Sequence, residues 1–239
     1  MTKPFHKEDF VRILKENGVV LNAVQLQQFE TYMEMLRDWN QRMNLTAITD
    51  PDEIYQKHFL DSVVPSFHVR MEGRLCDVGS GAGFPSIPLK IVYPELQVTI
   101  LEPIGKRVTF LKALCDSLGI QADICKARAE DAVKSYRGSF DIVTARAVAN
   151  LTMLCELCIP FVKRDGIFLA MKGSKGSEEL DAASYAVKTL GCVLEQTHEE
   201  MIYDVKRMDF VFRKVADTPG RYPRNFAQMK KNPLQEGIV

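Results

Sequence analysis

The residues best suited to chemistry lie in one stretch, Leu75-Cys76-Asp77-Val78-Gly79-Ser80-Gly81-Ala82-Gly83-Phe84-Pro85, an apolar run that ends in an acid and breaks into a glycine-rich turn. This is the pattern of a buried parallel strand turning sharply into a helix whose first N–H groups face a ligand. Ile87-Pro88-Leu89-Lys90-Ile91-Val92 supplies that helix. A dinucleotide fold asks for G-x-G-x-x-G, whereas Gly79, Gly81 and Gly83 are spaced G-x-G-x-G and Phe84 holds the place of the third glycine. The spacing disfavours a pyrophosphate. Asp77, just before the first glycine, and Glu102, at the end of the next apolar run, suit a cationic or hydroxyl-bearing ligand instead, and S-adenosylmethionine has both features. A glycine turn taken alone could also be a tight structural turn.

Glu102 is joined in the same constellation by Ala129, Glu130 and Arg146. Glu102 follows Thr99-Ile100-Leu101 and precedes Pro103, so its carboxylate can accept both ribose hydroxyls or else cap the next helix. Ala129-Glu130, after the third apolar run, lies where an adenine would reach. Arg146 ends Phe140-Asp141-Ile142-Val143-Thr144-Ala145, and an arginine closing a buried strand needs an anionic partner, either a ligand carboxylate or a nearby acid. His58 stands alone and reads as a structural hydrogen-bond partner. Cys155 and Cys158 form a C-x-x-C inside an apolar stretch with no second ligand pair, so no metal site is expected.

These residues need strands to carry them. From Gly73 onward short β-branched runs alternate with helical patterns, which predicts a doubly wound α/β sheet. Strands are expected near 74–78, 98–101, 122–125, 141–145 and 167–171, and helices near 86–92, 105–118, 128–135, 150–163 and 176–190. Two last strands near 193–196 and 209–213 have no helix between them, giving seven strands with an antiparallel final pair. Residues 1 to about 70 read as a helical segment packed on this main unit, residues 71–239. In that segment an apolar pattern from His6 to Leu14 stops at Asn17-Gly18, and Asn22 with Gln25 opens a long amphipathic helix. Asp50 caps a further helix with Pro51 in its first turn.

Composition sets the outer limits. With 239 residues, 46% hydrophobic and 26% charged, the chain can bury a sizeable core, and no apolar run is long enough for a membrane span. The stretch Met1-Thr2-Lys3-Pro4-Phe5-His6-Lys7-Glu8 lacks the apolar centre of a signal peptide, so a cytoplasmic protein is expected, and six scattered cysteines fit reduced thiols there. The net charge is zero, yet residues 206–231 hold eight lysines and arginines against two acids. This basic tail is either a solvated face or a site for an anionic partner.

Asp77–Pro85, Arg146-Ala147-Val148, Lys172-Gly173 and Tyr222-Pro223-Arg224, with Asn44-Leu45-Thr46, Lys57-His58 and Asp61-Ser62, together resemble the glucose-inhibited division protein B (RsmG) family over nearly the whole chain. The resemblance implies a Rossmann-like class I S-adenosylmethionine-dependent methyltransferase fold with an N-terminal helical extension. It implies methyl transfer from S-adenosylmethionine to N7 of a guanine in 16S ribosomal RNA or a small-subunit assembly, with cofactor contacts at Gly79, Phe84, Glu102, Ala129, Glu130 and Arg146. Asp77, Gly81 and Gly83 join that set from the loop itself. The tail departs from the family pattern at Ala227 and Met229, where the family has glycine and proline. Because guanine N7 has a free lone pair, no general base is called for and none is assigned, although Arg146 is the residue to question. Arg221, Arg224, Lys230 and Lys231 beside Tyr222 and Phe226 suit RNA phosphates and bases. A monomer is expected. The competing readings are a small-molecule methyltransferase on the same fold, which the basic tail disfavours, and a cofactor-holding RNA-binding protein without activity.

Overall fold

In the computed structural model, which describes residues 5–202 and 205–236, the alternating part of the chain builds one seven-stranded sheet. β1 (Arg74–Val78), β2 (Gln97–Leu101), β3 (Asp123–Cys125), β4 (Phe140–Arg146), β5 (Val162–Lys172), β6 (Cys192–Ile202) and β7 (Val205–Lys214) lie in the order β3-β2-β1-β4-β5-β7-β6. The first five run parallel, and β7 is antiparallel to both β5 and β6. Strand order reverses between β1 and β4, so their carboxyl ends bound the crevice where such sheets take a ligand. This is the predicted doubly wound fold with its antiparallel last pair.

Two helices, α5 (Ser86–Val92) and α6 (Gly105–Leu118), match their expected bounds. The helix expected to reach residue 163 instead ends earlier. α8 (Leu151–Cys158) gives way to a single tight turn at Ile159–Phe161, and Val162 already begins β5. Pro160 has no N–H to continue the helix, and the charged run Lys163-Arg164-Asp165 disguises the start of the strand. β6 and β7 are likewise longer than their apolar runs. β6 is an edge strand, exposed over Val193–Thr197, so backbone pairing with β7 rather than burial defines it.

The amino-terminal helices cover one face of the sheet. α1 (Lys7–Glu16) and α2 (Ala23–Met43) bury Phe10, Phe29, Tyr32 and Leu36, which share a core with Leu75, Ile100, Ile142, Leu169 and Val211 from the strands. The Asn22 and Gln25 side chains each accept the other's backbone N–H at 2.9 Å, the predicted capping box. Asp50 accepts the Glu53 N–H at 3.0 Å and starts α3 (Pro51–Ile54). From there the helix runs on through a π-helical turn, Tyr55–Leu60, into α4 (Asp61–Val63). A π-turn rotates the residues after it around the helix axis, and it sets His58 and Asp61 toward the sheet. Part of the Met1–Glu8 stretch, Met1 to Pro4, lies outside the described residues. No helix among those described is long and apolar enough to cross a membrane.

The opposite face is covered by α7 (Ala129–Tyr136), α8, α9 (Gly176–Thr189) and the tail. Tyr222, Met229 and Leu234 are buried in this second core with Phe168, Phe210 and Phe212. The tail forms α10 (Phe226–Lys231), capped by Asn225 through the Gln228 N–H at 2.9 Å. Ala227 and Met229, both good helix formers, stand where glycine and proline would oppose that turn, and Met229 is its buried anchor. Arg224 is committed: its guanidinium meets the Glu156 carboxylate at 2.8 and 2.7 Å, and its backbone N–H donates to the same acid at 2.8 Å. Glu156 is almost fully buried in α8. Arg224, expected to meet RNA phosphates, is thus paired with an internal acid. Arg224→Ala should lower stability by about 3 kcal/mol, the scale of stranding a buried charge. Urea unfolding checks this, and an unchanged midpoint would show that Glu156 keeps no need of its partner.

Candidate functional site

The glycine turn after β1 is fixed from three sides. The Gly79 N–H donates to the Leu101 carbonyl at 2.8 Å, tying the loop to the end of β2. Glu102, directly after β2 and almost fully buried, accepts the Gly81 N–H at 3.0 Å through Oε2 and the Ile104 N–H at 2.9 Å through Oε1. Glu102 thus braces the loop against the residue that precedes α6. From the other side, the Tyr32 hydroxyl on α2 donates to the Ala82 carbonyl at 2.6 Å.

The turn needs its glycines for different reasons. Gly83 has φ +102°, and a Cβ there would come within 2.8 Å of the Tyr32 hydroxyl and of Ile87, so contact with the helical segment excludes a side chain. At Gly81, with φ +63°, a Cβ would meet nothing within 4 Å. The backbone there borders open space, the cradle a ligand needs for close approach. Asp77 is fully buried beneath the turn and accepts the Ser86 N–H at 3.2 Å through Oδ2, while its Oδ1 has no hydrogen-bond partner among the described residues. The hydroxyls of Ser80, Ser86 and Thr144 are similarly unpartnered. Burial pushes the Asp77 carboxyl up to about 7, against the pull of Ser86 and Arg146. Open space at Gly81, two strand-end carboxylates and unused polar atoms fit a cofactor with hydroxyls and a positive centre, as S-adenosylmethionine has.

Phe84 is a packing residue by its ring, stacked on Tyr32 with centroids 5.4 Å apart and on His58 at 4.5 Å. The Arg146 guanidinium lies 4.9 Å from the same ring. Arg146 donates to Asp61 Oδ2 at 2.6 Å, so its anionic partner is a nearby acid. The other Asp61 oxygen receives Arg207 from β7. His58 bonds Thr46 Oγ1 at 2.7 Å and faces Arg146 at 3.5 Å. Burial and the Arg146 charge hold it down to about 4, hence neutral, in keeping with the structural-partner reading. Ala147, just after Arg146, has φ +57°, uncommon for a residue with a side chain and a mark of local strain.

Behind Arg146 and Ala147 opens a cavity of about 510 Å³ at the carboxyl ends of β4 and β5, walled by Ile48, Val64, Met171 and Ile202. Lys172, Arg207 and Asp209 also line it. Lys172 is held by the Ala149 carbonyl at 3.0 Å and Glu179 at 2.7 Å. The structure therefore brings Asp77, Gly79, Gly81, Gly83, Phe84, Glu102 and Arg146 into one neighbourhood. Ala129 and Glu130 begin α7 beyond β3, whose Cys125 carbonyl accepts the Glu102 N–H at 3.1 Å. Arg221, Arg224, Lys230 and Lys231 line none of this cavity. Sequence reasoning gave Asp61, Lys172, Arg207 and Asp209 no role. Asp61 is 85 residues from Arg146 and 146 from Arg207, a separation no local pattern reports.

The family described as rRNA small subunit methyltransferase G (GidB) matches residues 25–204. The chain is 48% identical over 229 residues to a Ribosomal RNA small subunit methyltransferase G of Staphylococcus epidermidis, covering 93% of this chain and 96% of that one. It is 45% identical over 235 residues to the Bacillus subtilis protein of the same name, covering 95% and 98%. Among solved structures, M. jannaschii TYW2 in complex with AdoMet superposes with a TM-score of 0.54 at 16% identity, over 67% of this chain and 77% of that one. That likeness is one of fold.

Gly81→Val should abolish cofactor binding in calorimetry, because its side chain would enter the cradle and strain a backbone at φ +63°; undiminished affinity would remove the loop from the site. The second expectation concerns pH. Folded Asp77 keeps a proton that the unfolded chain releases near 3.8, so it erodes stability as pH rises from about 4 to 7. Asp77→Asn should gain on the parent across that window, by at most about 4 kcal/mol. Melting curves that stay parallel from pH 4 to 7 would contradict the burial argument.

Proposed function

The chain belongs to the rRNA small subunit methyltransferase G family, and from that premise we propose that it transfers a methyl group from S-adenosylmethionine to N7 of a guanine in 16S ribosomal RNA. The observation that carries this reading is the pairing of two spaces, the open cradle at Gly81 beside Glu102 and the cavity behind Arg146, one for each substrate. When bound, the cofactor supplies an electrophilic methyl carbon on a sulfonium.

The protein's part is to hold and orient. Each Glu102 oxygen accepts one backbone N–H and has a lone pair left for a ribose hydroxyl. Gly79, Gly81 and Gly83 let the backbone approach, and Ala129 with Glu130 would flank the adenine. Methyl transfer to guanine N7 would use the base's own lone pair, with the carbon–sulfur electron pair left on sulfur, so no side chain would have to act as a base. The base becomes cationic and no proton has to leave. Positioning and a tolerant electrostatic setting are then the main sources of rate. The buried thiols of Cys76 and Cys158 are pushed far up by desolvation, which suits packing residues rather than nucleophiles.

On this reading the protein works in the cytoplasm as a monomer on the small subunit or its RNA. Arg221, Lys230 and Lys231, all exposed, are the tail cations left to meet RNA phosphates. Labelled cofactor with small-subunit RNA should yield 7-methylguanine, and no label in the RNA would overturn the proposal. Glu102→Ala should weaken cofactor binding by about 1–3 kcal/mol. A fall in melting temperature with cofactor affinity intact would leave Glu102 as a structural brace alone.

A further inference from the structure

Among the described residues that line the cavity behind Arg146, one buried polar side chain is left over. Asp61 is shared by Arg146 and Arg207, and Lys172 is paired with Glu179. Asp209, on β7 opposite Met171 of β5 and His198 of β6, lines the same cavity and is 4% exposed. Its carboxyl makes no hydrogen bond or ion pair among the described residues. A buried carboxyl facing a cavity with its acceptors unused calls for donors from an occupant.

The occupant's chemistry can be read from the walls and from this group. Ile48, Val64, Met171 and Ile202 offer apolar contact to a flat ring, and the cavity's size lies within the range of about 300–1,000 Å³ usual for small ligands. A carboxylate accepts two donors side by side. Of the four RNA bases only guanine shows two adjacent donors on its Watson–Crick edge, N1–H and N2–H₂. Adenine, cytosine and uracil each place at least one acceptor there. N7 is on the far edge of the base, so a guanine gripped through N1 and N2 leaves N7 free to face out of the grip.

We infer that Asp209 reads the target guanine, accepting N1–H and N2–H₂ of the base inserted into this cavity. The assignment rests on the methyl-transfer reading above and gives that site its base specificity. Burial, then the neighbouring charges of Asp61 and Glu200, push the empty-site carboxyl up to about 8 against the pull of Arg207. Two guanine donors offset the cost of ionising it. The grip also serves the reaction. As N7 takes the methyl, positive charge spreads over the base and N1–H becomes a stronger donor, so the bond to Asp209 tightens in the transition state.

The test combines a protein variant with a base analogue. Inosine keeps N1–H and N7 but lacks the 2-amino group. Small-subunit RNA carrying inosine in place of the methylated guanosine should be modified by the parent protein with kcat/KM lower by about tenfold, one hydrogen bond to a charged group. Asp209→Val fits the strand and removes an unsatisfied buried acid, so its melting temperature should hold or rise. Its kcat/KM on guanosine RNA should fall about 10- to 100-fold, with a share in kcat, and it should no longer distinguish guanosine from inosine. A parent protein that methylates the guanosine RNA but is indifferent to inosine overturns this assignment alone, whatever the variant does. A variant that discriminates as the parent does overturns it too. A parent protein that methylates no small-subunit RNA overturns the methyl-transfer reading and this assignment with it.

Discussion

The Asp61 carboxylate, 5% exposed and shared between Arg146 and Arg207, is the contact on which the arrangement of the site depends. It joins three pieces of chain far apart in sequence: the helical segment, the end of β4 and the start of β7. Two guanidinium groups on one buried carboxylate leave a net positive charge, and that charge helps keep His58 neutral. The same contact holds Arg146 over the Phe84 ring, beside the glycine turn. A buried ion pair of this kind adds little net stability compared with an apolar replacement, so its value here lies in orientation.

Around that contact the helical segment works as part of the site rather than as a cover. Tyr32 holds the Ala82 carbonyl, its ring stacks on Phe84, and its hydroxyl occupies the space that a side chain at Gly83 would need. The π-turn at Tyr55–Leu60 brings His58 onto Phe84 from the other direction. Loop conformation, aromatic packing and the Arg146 position are therefore coupled, and the loop is preorganised before any ligand arrives.

The sheet separates two jobs. The face toward the amino-terminal helices shapes the cradle and cavity, whereas the opposite face takes the tail as a further layer. Glu156 draws Arg224 inward, Tyr222 and Met229 anchor the segment, and Arg221, Lys230 and Lys231 remain outside. A run of basic residues has thus been divided between internal neutralisation and surface charge. The division depends on one buried acid in α8.

Much of this was legible from local pattern. Short β-branched runs and helical runs gave the strand and helix succession, Asn22 with Gln25 and Asp50 with Pro51 gave the caps, and the glycine turn with Asp77 and Glu102 gave the cradle. These signals work because they act within a few residues, where backbone geometry and side-chain reach are set by sequence alone. The second half of edge strand β6 and the first residues of β5 escaped the reading because pairing, not burial, makes them strands. The role of Arg224 was invisible because its partner is 68 residues away. Asp61, Arg207 and Asp209 were invisible as a group for the same reason. Only the tertiary structure could decide which cation meets which acid, since burial sets the cost of each unpaired charge and the fold alone determines what lies within reach.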